Sequence, residues 1–229
     1  MLTLYHSPMS VGSRAIRLML GEYDLDARLI EEQIWERRPD FLTINPACTV
    51  PVLMDEDLAL VGTWVIAEYL DETHGALKRE RRLYPEDPVG RAEMRRIMDW
   101  CLTKLESEVT RYAVHERVTK RQMPSSQGGG APDSQALRAV RANIVYHLQY
   151  LGWLVGSRNW MAGPHLTQAD LTAAAALSVL DYLGEVDWNV DEHLRDWYAR
   201  IKSRPSFRPL LADRIRGMPP VSHYVDLDF

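Results

Sequence analysis

The segment Leu171 to Leu183 (LTAAAALSVLDYL) constrains the fold of this chain more than any other stretch. Wound as a helix, it is apolar on nearly every side. A helix without a polar face belongs in the middle of a bundle, covered all round by other elements. Just before it stands Thr167-Gln168-Ala169-Asp170, a capping box in form. The Thr167 hydroxyl can accept an early helix N–H, and Asp170 at the third position can accept the Thr167 N–H in return. Glu or Gln is the usual third residue, so Asp is a close variant. Burial raises the stake, because an unpaired buried N–H costs ~1–3 kcal/mol. Thr167 and Asp170 are therefore read as structural residues.

The sequence around this core helix is helical as well. Met94, Ile97, Met98, Cys101, Leu105, Val109 and Tyr112 recur at three and four and mark one stripe of a long helix. Leu137, Val140, Ile144, Leu148, Leu151 and Val155 do the same over 135–155. A further helix is predicted over 191–203, and 206–216 is expected to be helical too. Residues 122–134 (QMPSSQGGGAPDS) have the composition of a flexible loop.

The first third alternates differently. Residues 1–5 read as a strand, 13–20 as a helix and 26–30 as a second strand with Ala27 and Leu29 set against charged neighbours. Residues 52–54 and 58–60 form a hairpin-like pair around a turn at Asp55-Glu56-Asp57. A helix follows over 63–73, its apolar face built from Val65, Ile66, Tyr69 and Leu70. Gly75 stops that helix, and Pro85 and Pro88 fence off the next. The expected organisation is an α/β domain over 1–77, a linker over 78–88, an all-helical domain over 89–216 and a Pro-bent tail over 217–229.

A chain of 229 residues with 46% hydrophobic and 26% charged residues has the balance of an ordinary soluble protein. A formal net charge of -5 gives no reason to expect nucleic acid or a general membrane surface as partner. Cys48 and Cys101 lie far apart with no CxxC, which fits a reducing compartment. No apolar run approaches the ~18 residues of a membrane span, and the first residues lack the pattern of a signal peptide. The cytoplasm is the expected compartment. The seven histidines show no metal-ligand spacing, and no phosphate loop or nucleotide fingerprint occurs.

Three features point toward binding. Pro51, at the mouth of the strand Val52-Leu53-Met54, has no N–H for a ladder. It is either an ordinary turn proline or a cis-proline that turns the Val50 backbone outward, and only about one X-Pro bond in twenty is cis. Trp35 stands in a markedly polar setting, EEQIWERR. It is either an interface anchor or packed back on the sheet. The end, Tyr224-Val225-Asp226-Leu227-Asp228-Phe229, alternates apolar and acidic residues, so it could dock as an extended segment or fold onto its own domain. Cys48 is either a buried thiol or a reactive one near the groove.

The opening strand, the Ser7-Pro8-Met9-Ser10 loop, Val50-Pro51 and Gly62-Thr63 together resemble the N-terminal thioredoxin-like domain of the glutathione transferase superfamily. The segment Met161 to Leu171 resembles the motif that caps the core helix of its C-terminal domain. The resemblance implies a thioredoxin-like α/β domain followed by an all-α domain, and a cis bond at Pro51. It implies a hydroxyl or a cysteine beside the cofactor thiolate, at the end of the first strand or the start of the first helix, for which Tyr5, Ser7 and Ser10 are the residues available. Serines there exclude thiol–disulfide exchange, while Ser10 at a helix start can hold an anion. Val50, Pro51 and Thr63 would face a tripeptide. The superfamily usually places an acidic residue where this chain has Gly62, to pair with the ligand's ammonium. Losing one charged hydrogen bond costs about 1.5–3 kcal/mol, one to two decades in affinity. Val50, Pro51, Gly62 and Thr63 thus read as a vestigial glutathione-like pocket.

The opening MLTLYHSP, the Trp35-Glu36-Arg37-Arg38 segment, Gly62 and the terminal VDLDF resemble one branch, the FtsZ-binding glutathione-transferase-like division proteins of alphaproteobacteria. That likeness implies a cytoplasmic, non-catalytic homodimer at the division site. It would bind filaments of the tubulin-like GTPase FtsZ and promote their curvature and constriction, with no cofactor and no metal. Trp35, Asp226, Asp228 and Phe229 are the partner-binding candidates. The alternative is a glutathione transferase that conjugates glutathione to small electrophiles.

Overall fold

The computed structural model describes residues 1–227. Four strands form one mixed sheet in the order β2-β1-β3-β4, with β1 Leu2–His6, β2 Ala27–Glu31, β3 Val52–Asp55 and β4 Leu58–Val61. β1 and β2 run parallel, and the other pairings are antiparallel. The parallel pair needs a crossover, and α1 (Val11–Glu22) supplies it. α2 (Pro39–Ile44) follows a single 3-10 turn at Ile34–Glu36, and α3 (Thr63–Thr73) follows β4. One face of the sheet joins α1 and α3 in the main core. The other carries a small cluster of Phe41, Cys48 and Val52 under α2.

The helical part begins with a long rod, α4 (88–122), in which π-helical turns at Trp100–Thr110 and His115–Thr119 interrupt the α-helix. α5 (Ser134–Gly156), α6 (Gln168–Tyr182), α7 (Glu192–Lys202) and the short α8 (Arg208–Leu211) complete it. Every residue of α6 is buried. Its packing partners include α1, α4 and α7, so the sheet's own helix and the bundle share one continuous core.

Four expectations change. On α3, Val65 is exposed and the inward face is Ile66, Ala67, Leu70 and Asp71. The helix turns this way because Asp71 has partners inside: Tyr23 Oη donates to it at 2.9 Å and Arg82 Nη2 at 2.7 Å. On β2, an edge strand, Leu29 is 44% exposed. On α4, Tyr112 leaves the stripe and Ala113 takes its place, since the wider π-turns advance the inward face. From 212 to 216 the chain is not helical; Asp213 instead pairs with Arg17 at 2.8 Å.

Candidate functional site

A cleft of about 600 Å³ lies where the sheet domain faces α4. Ser7 and Ser10 form its near wall. Ser10 caps α1 by accepting the Ser13 N–H at 3.2 Å, and its own N–H donates to the Ser7 carbonyl at 3.0 Å. Its hydroxyl therefore sits at the positive end of a helix, as the sequence suggested. The Val50–Pro51 bond is cis. No backbone hydrogen bond to Val50 occurs among the described residues, and Val50 lines the cleft. The Pro51 carbonyl instead accepts the Gly62 N–H at 3.0 Å, which fixes the start of α3.

Gly62 takes φ +91°, a backbone region that L side chains rarely adopt, although a Cβ there would meet nothing within 4 Å. The residue that departs from the superfamily pattern is thus held by its backbone, not by crowding. Thr63 is buried beside it. A Cβ on Gly12 would lie 2.2 Å from Thr63 Oγ1, so only glycine at position 12 lets α1 and α3 approach this closely. Thr63 opens onto a smaller adjoining cavity of about 280 Å³, which it shares with Gly12 and Trp64.

Trp35 is half-buried and lines the cleft, an outcome between the two expected. Cys48 is buried at φ +54°, and its Sγ lies 3.3 Å from the Ile34 carbonyl. Asp226 is exposed and stands away from the cleft. The segment before it is a 3-10 turn, Ser222–Val225, and not the period-two strand that alternation suggested. Tyr224 anchors that turn: fully buried, it accepts from Arg14 Nη1 at 2.9 Å and donates to the Leu210 carbonyl at 3.1 Å. Asp228 and Phe229 lie outside the described residues.

The sequence reading missed the far wall, which α4 supplies through Glu106, Arg111 and His115. Glu106 falls one residue beyond the buried Leu105, and that adjacency was the only signal it gave. Burial pushes its carboxyl up to about 7, against a smaller pull from Arg111. Next to the Ser7 loop, burial and then the nearby Arg17 and Arg14 push His6 down to about 4, so its ring is neutral at pH 7. At the N-terminus of α6, the Asp170 carboxylate accepts from the Thr167 N–H at 2.9 Å, the Thr167 hydroxyl at 3.1 Å, the Met161 N–H at 2.8 Å and Trp197 Nε1 at 3.0 Å. No group of side chains able to hold a metal ion occurs among the described residues.

With this geometry in view, residues 4–80 match the family described as glutathione S-transferase, N-terminal domain. The chain is 41% identical to FtsZ-localized protein A of Caulobacter vibrioides (strain NA1000 / CB15N) over 99% of its own length and 98% of that protein's. The chain belongs to the glutathione S-transferase superfamily. Among solved structures, a glutathione S-transferase from Sinorhizobium meliloti 1021 superposes with a TM-score of 0.98 at 59% identity, covering 100% of both chains. FzlA from C. crescentus superposes with a TM-score of 0.92 at 40% identity, covering 100% of this chain and 99% of that one. The architecture is the glutathione S-transferase fold, a mixed-sheet domain followed by an all-helical one. Within that fold, the cleft occupies the seam between the two parts.

Proposed function

We propose that this chain is a non-catalytic, glutathione-transferase-like protein that binds FtsZ filaments in the cytoplasm, at the division site, and promotes their curvature and constriction. The observation that carries the reading is the end-to-end likeness to FtsZ-localized protein A, at 41% identity over 99% of the chain. Gly62 supports the non-catalytic part, because the position offers no charge to a ligand ammonium and its φ of +91° disfavours any side chain. No helix among the described residues is long and apolar enough to cross a membrane. Trp35 and the tail residues Asp226, Asp228 and Phe229 are the proposed contacts.

The protein acts as a homodimer in this reading, since a two-fold pair presents one patch twice and can bridge filaments. Leu58 on β4 and Val65 on α3 are apolar side chains left 47% and 51% exposed, which a second copy would cover in this reading. Co-sedimentation with FtsZ filaments tests the assignment. Trp35→Ala and a truncation after Val225 are each expected to lower the pelleted fraction several-fold while circular dichroism stays unchanged. Undiminished pelleting by both variants removes the assignment, and a single subunit by sedimentation velocity removes the bridging mechanism.

Conjugation of glutathione is the second reading, favoured by the meeting of Ser10 and Val50 at one cleft with Thr63 next to it. Calorimetry at millimolar glutathione separates the two. Saturable heat that Ser10→Ala abolishes supports the enzyme; flat injections support the binding protein.

A further inference from the structure

The formal net charge of the chain is -5, yet the charge that water can reach in the large cleft is positive. Arg37 lines the sheet-domain wall, and Arg111 and His115 line the α4 wall. All three are exposed. The His115 N–H donates to the Arg111 carbonyl, so the two side chains share one face of α4. Neither arginine enters an ion pair among the described residues. Arg111 lies over the Tyr112 ring at 5.2 Å, and its Nη2 donates to Tyr112 Oη at 3.4 Å. Those contacts leave its charge unanswered.

Two acids line the same cleft, and neither cancels this charge. The Glu32 side chain is fully buried and taken by Arg38, whose Nε and Nη2 donate to it at 3.1 and 2.7 Å. Glu106 Oε2 is sealed from water. Burial pushes the Glu106 carboxyl up to about 7, against the pull of Arg111, so at pH 6 most of it carries no charge. A cleft lined by one sign of charge between low-dielectric walls concentrates its potential and gathers the opposite charge. The planar fork of arginine matches a carboxylate in two parallel N–H bonds. Met9, Ile34, Trp35 and Val114 add an apolar wall that suits a carbon body. The volume of about 600 Å³ lies within the roughly 300–1,000 Å³ of small-molecule sites.

We propose that the cleft takes a small organic carboxylate, its anionic head met by Arg37 from one wall and Arg111 from the other, its apolar body along Met9, Trp35 and Val114. This inference is independent of filament binding. It draws its charge from Arg37 and Arg111 and uses neither Gly62 nor Thr63.

Titration of the full chain at pH 6 with hexanoate, hexanol and hexylamine, followed by amide chemical shifts, tests it. Hexanoate is expected to bind saturably in the millimolar range and to move the amides of Val50, Val114 and His115. Hexanol, with the same carbon body, binds at least tenfold more weakly, and hexylamine does not bind. Added salt weakens hexanoate and leaves hexanol within twofold. Arg111→Gln lowers the hexanoate affinity severalfold, and Arg37→Gln with Arg111→Gln lowers it at least tenfold; hexanol stays within twofold in both. Truncation after Val225 leaves hexanoate binding unchanged. Equal affinities for acid and alcohol overturn the proposal, as does an unaltered hexanoate affinity in the double variant. So do hexanoate shifts that map away from the cleft. Should the double variant not fold, the acid-to-amine ratio in the native chain decides alone.

Discussion

His6 and Glu106 have pKa values displaced in opposite directions, one beside the cleft loop and one in the far wall. His6 stands at about 4 against 6.5 for a free histidine, lowered by burial and by Arg17 and Arg14, with Asp213 opposing. The unfolded chain therefore binds the extra proton first, and this histidine makes stability rise with pH between about 4 and 6.5. Glu106 stands at about 7 against 4.5, raised by burial, with Arg111 opposing. Here the folded chain keeps the proton longer, and stability falls as pH rises from about 4.5 to 7. Each limb is worth up to roughly 3 kcal/mol at 1.36 kcal/mol per unit. In the native protein the two nearly cancel between pH 4.5 and 6.5. His6→Gln should expose the falling limb and Glu106→Gln the rising one. Urea midpoints at half-unit steps from pH 5 to 6.5 check this; His147, also lowered by burial, contributes equally to each variant. Parallel curves for the three proteins would refute the assignment of either group.

At the scale of elements, α6 carries the clearest stability prediction. Its Asp170 carboxylate is fully buried and accepts four hydrogen bonds, from Thr167 twice, Met161 and Trp197. Burial raises its pKa, and the four donors oppose that shift. Asp170→Ala orphans two backbone N–H groups and an indole, so a loss of at least about 3 kcal/mol is expected, read as a drop in the urea midpoint. Asp170→Asn, which keeps an acceptor, should recover part of it. α6 was legible from sequence because its signal is local: a run apolar on nearly every side and a cap four residues long. The β3–β4 hairpin was legible for the same reason. The inward face of α3 was not, because Val65 and Asp71 traded places through Tyr23 and Arg82, residues distant in sequence. Glu106 stayed hidden likewise. An acid next to a helix stripe reads as solvated until the facing domain closes over it, and nothing in the spacing of α4 announces the sheet domain's approach. Ser10, Val50 and Thr63 were singled out through the superfamily resemblance, and the structure places Ser10 and Val50 at the cleft and Thr63 at the adjoining cavity.

Across the whole molecule, Arg14 ties together parts that are far apart in sequence. It lies in α1, fully buried, within the sheet domain's share of the core. Its Nε donates to the Pro8 carbonyl of the cleft loop at 2.6 Å, and its Nη1 to Ser178 of α6 at 2.8 Å and to Tyr224 at 2.9 Å. A buried guanidinium is tolerable only with such partners, so the position of the tail is set by a helix of the other domain. If the tail is a filament contact, its aim depends on this joint. Tyr224→Phe keeps the ring in the core and removes only the hydroxyl. The Leu210 carbonyl loses its donor and Arg14 loses one acceptor, a cost of about 1–2 kcal/mol. Hydrogen exchange should then quicken at Tyr224 and Asp226, whose N–H groups donate to Val221 and His223, while α6 keeps its protection. Co-sedimentation with FtsZ should fall toward that of the truncated chain, although Asp226 and the residues beyond it are all present. If exchange quickens and pelleting stays native, the tail is not a contact. If neither changes, Arg14 holds the domains together without aiming the tail.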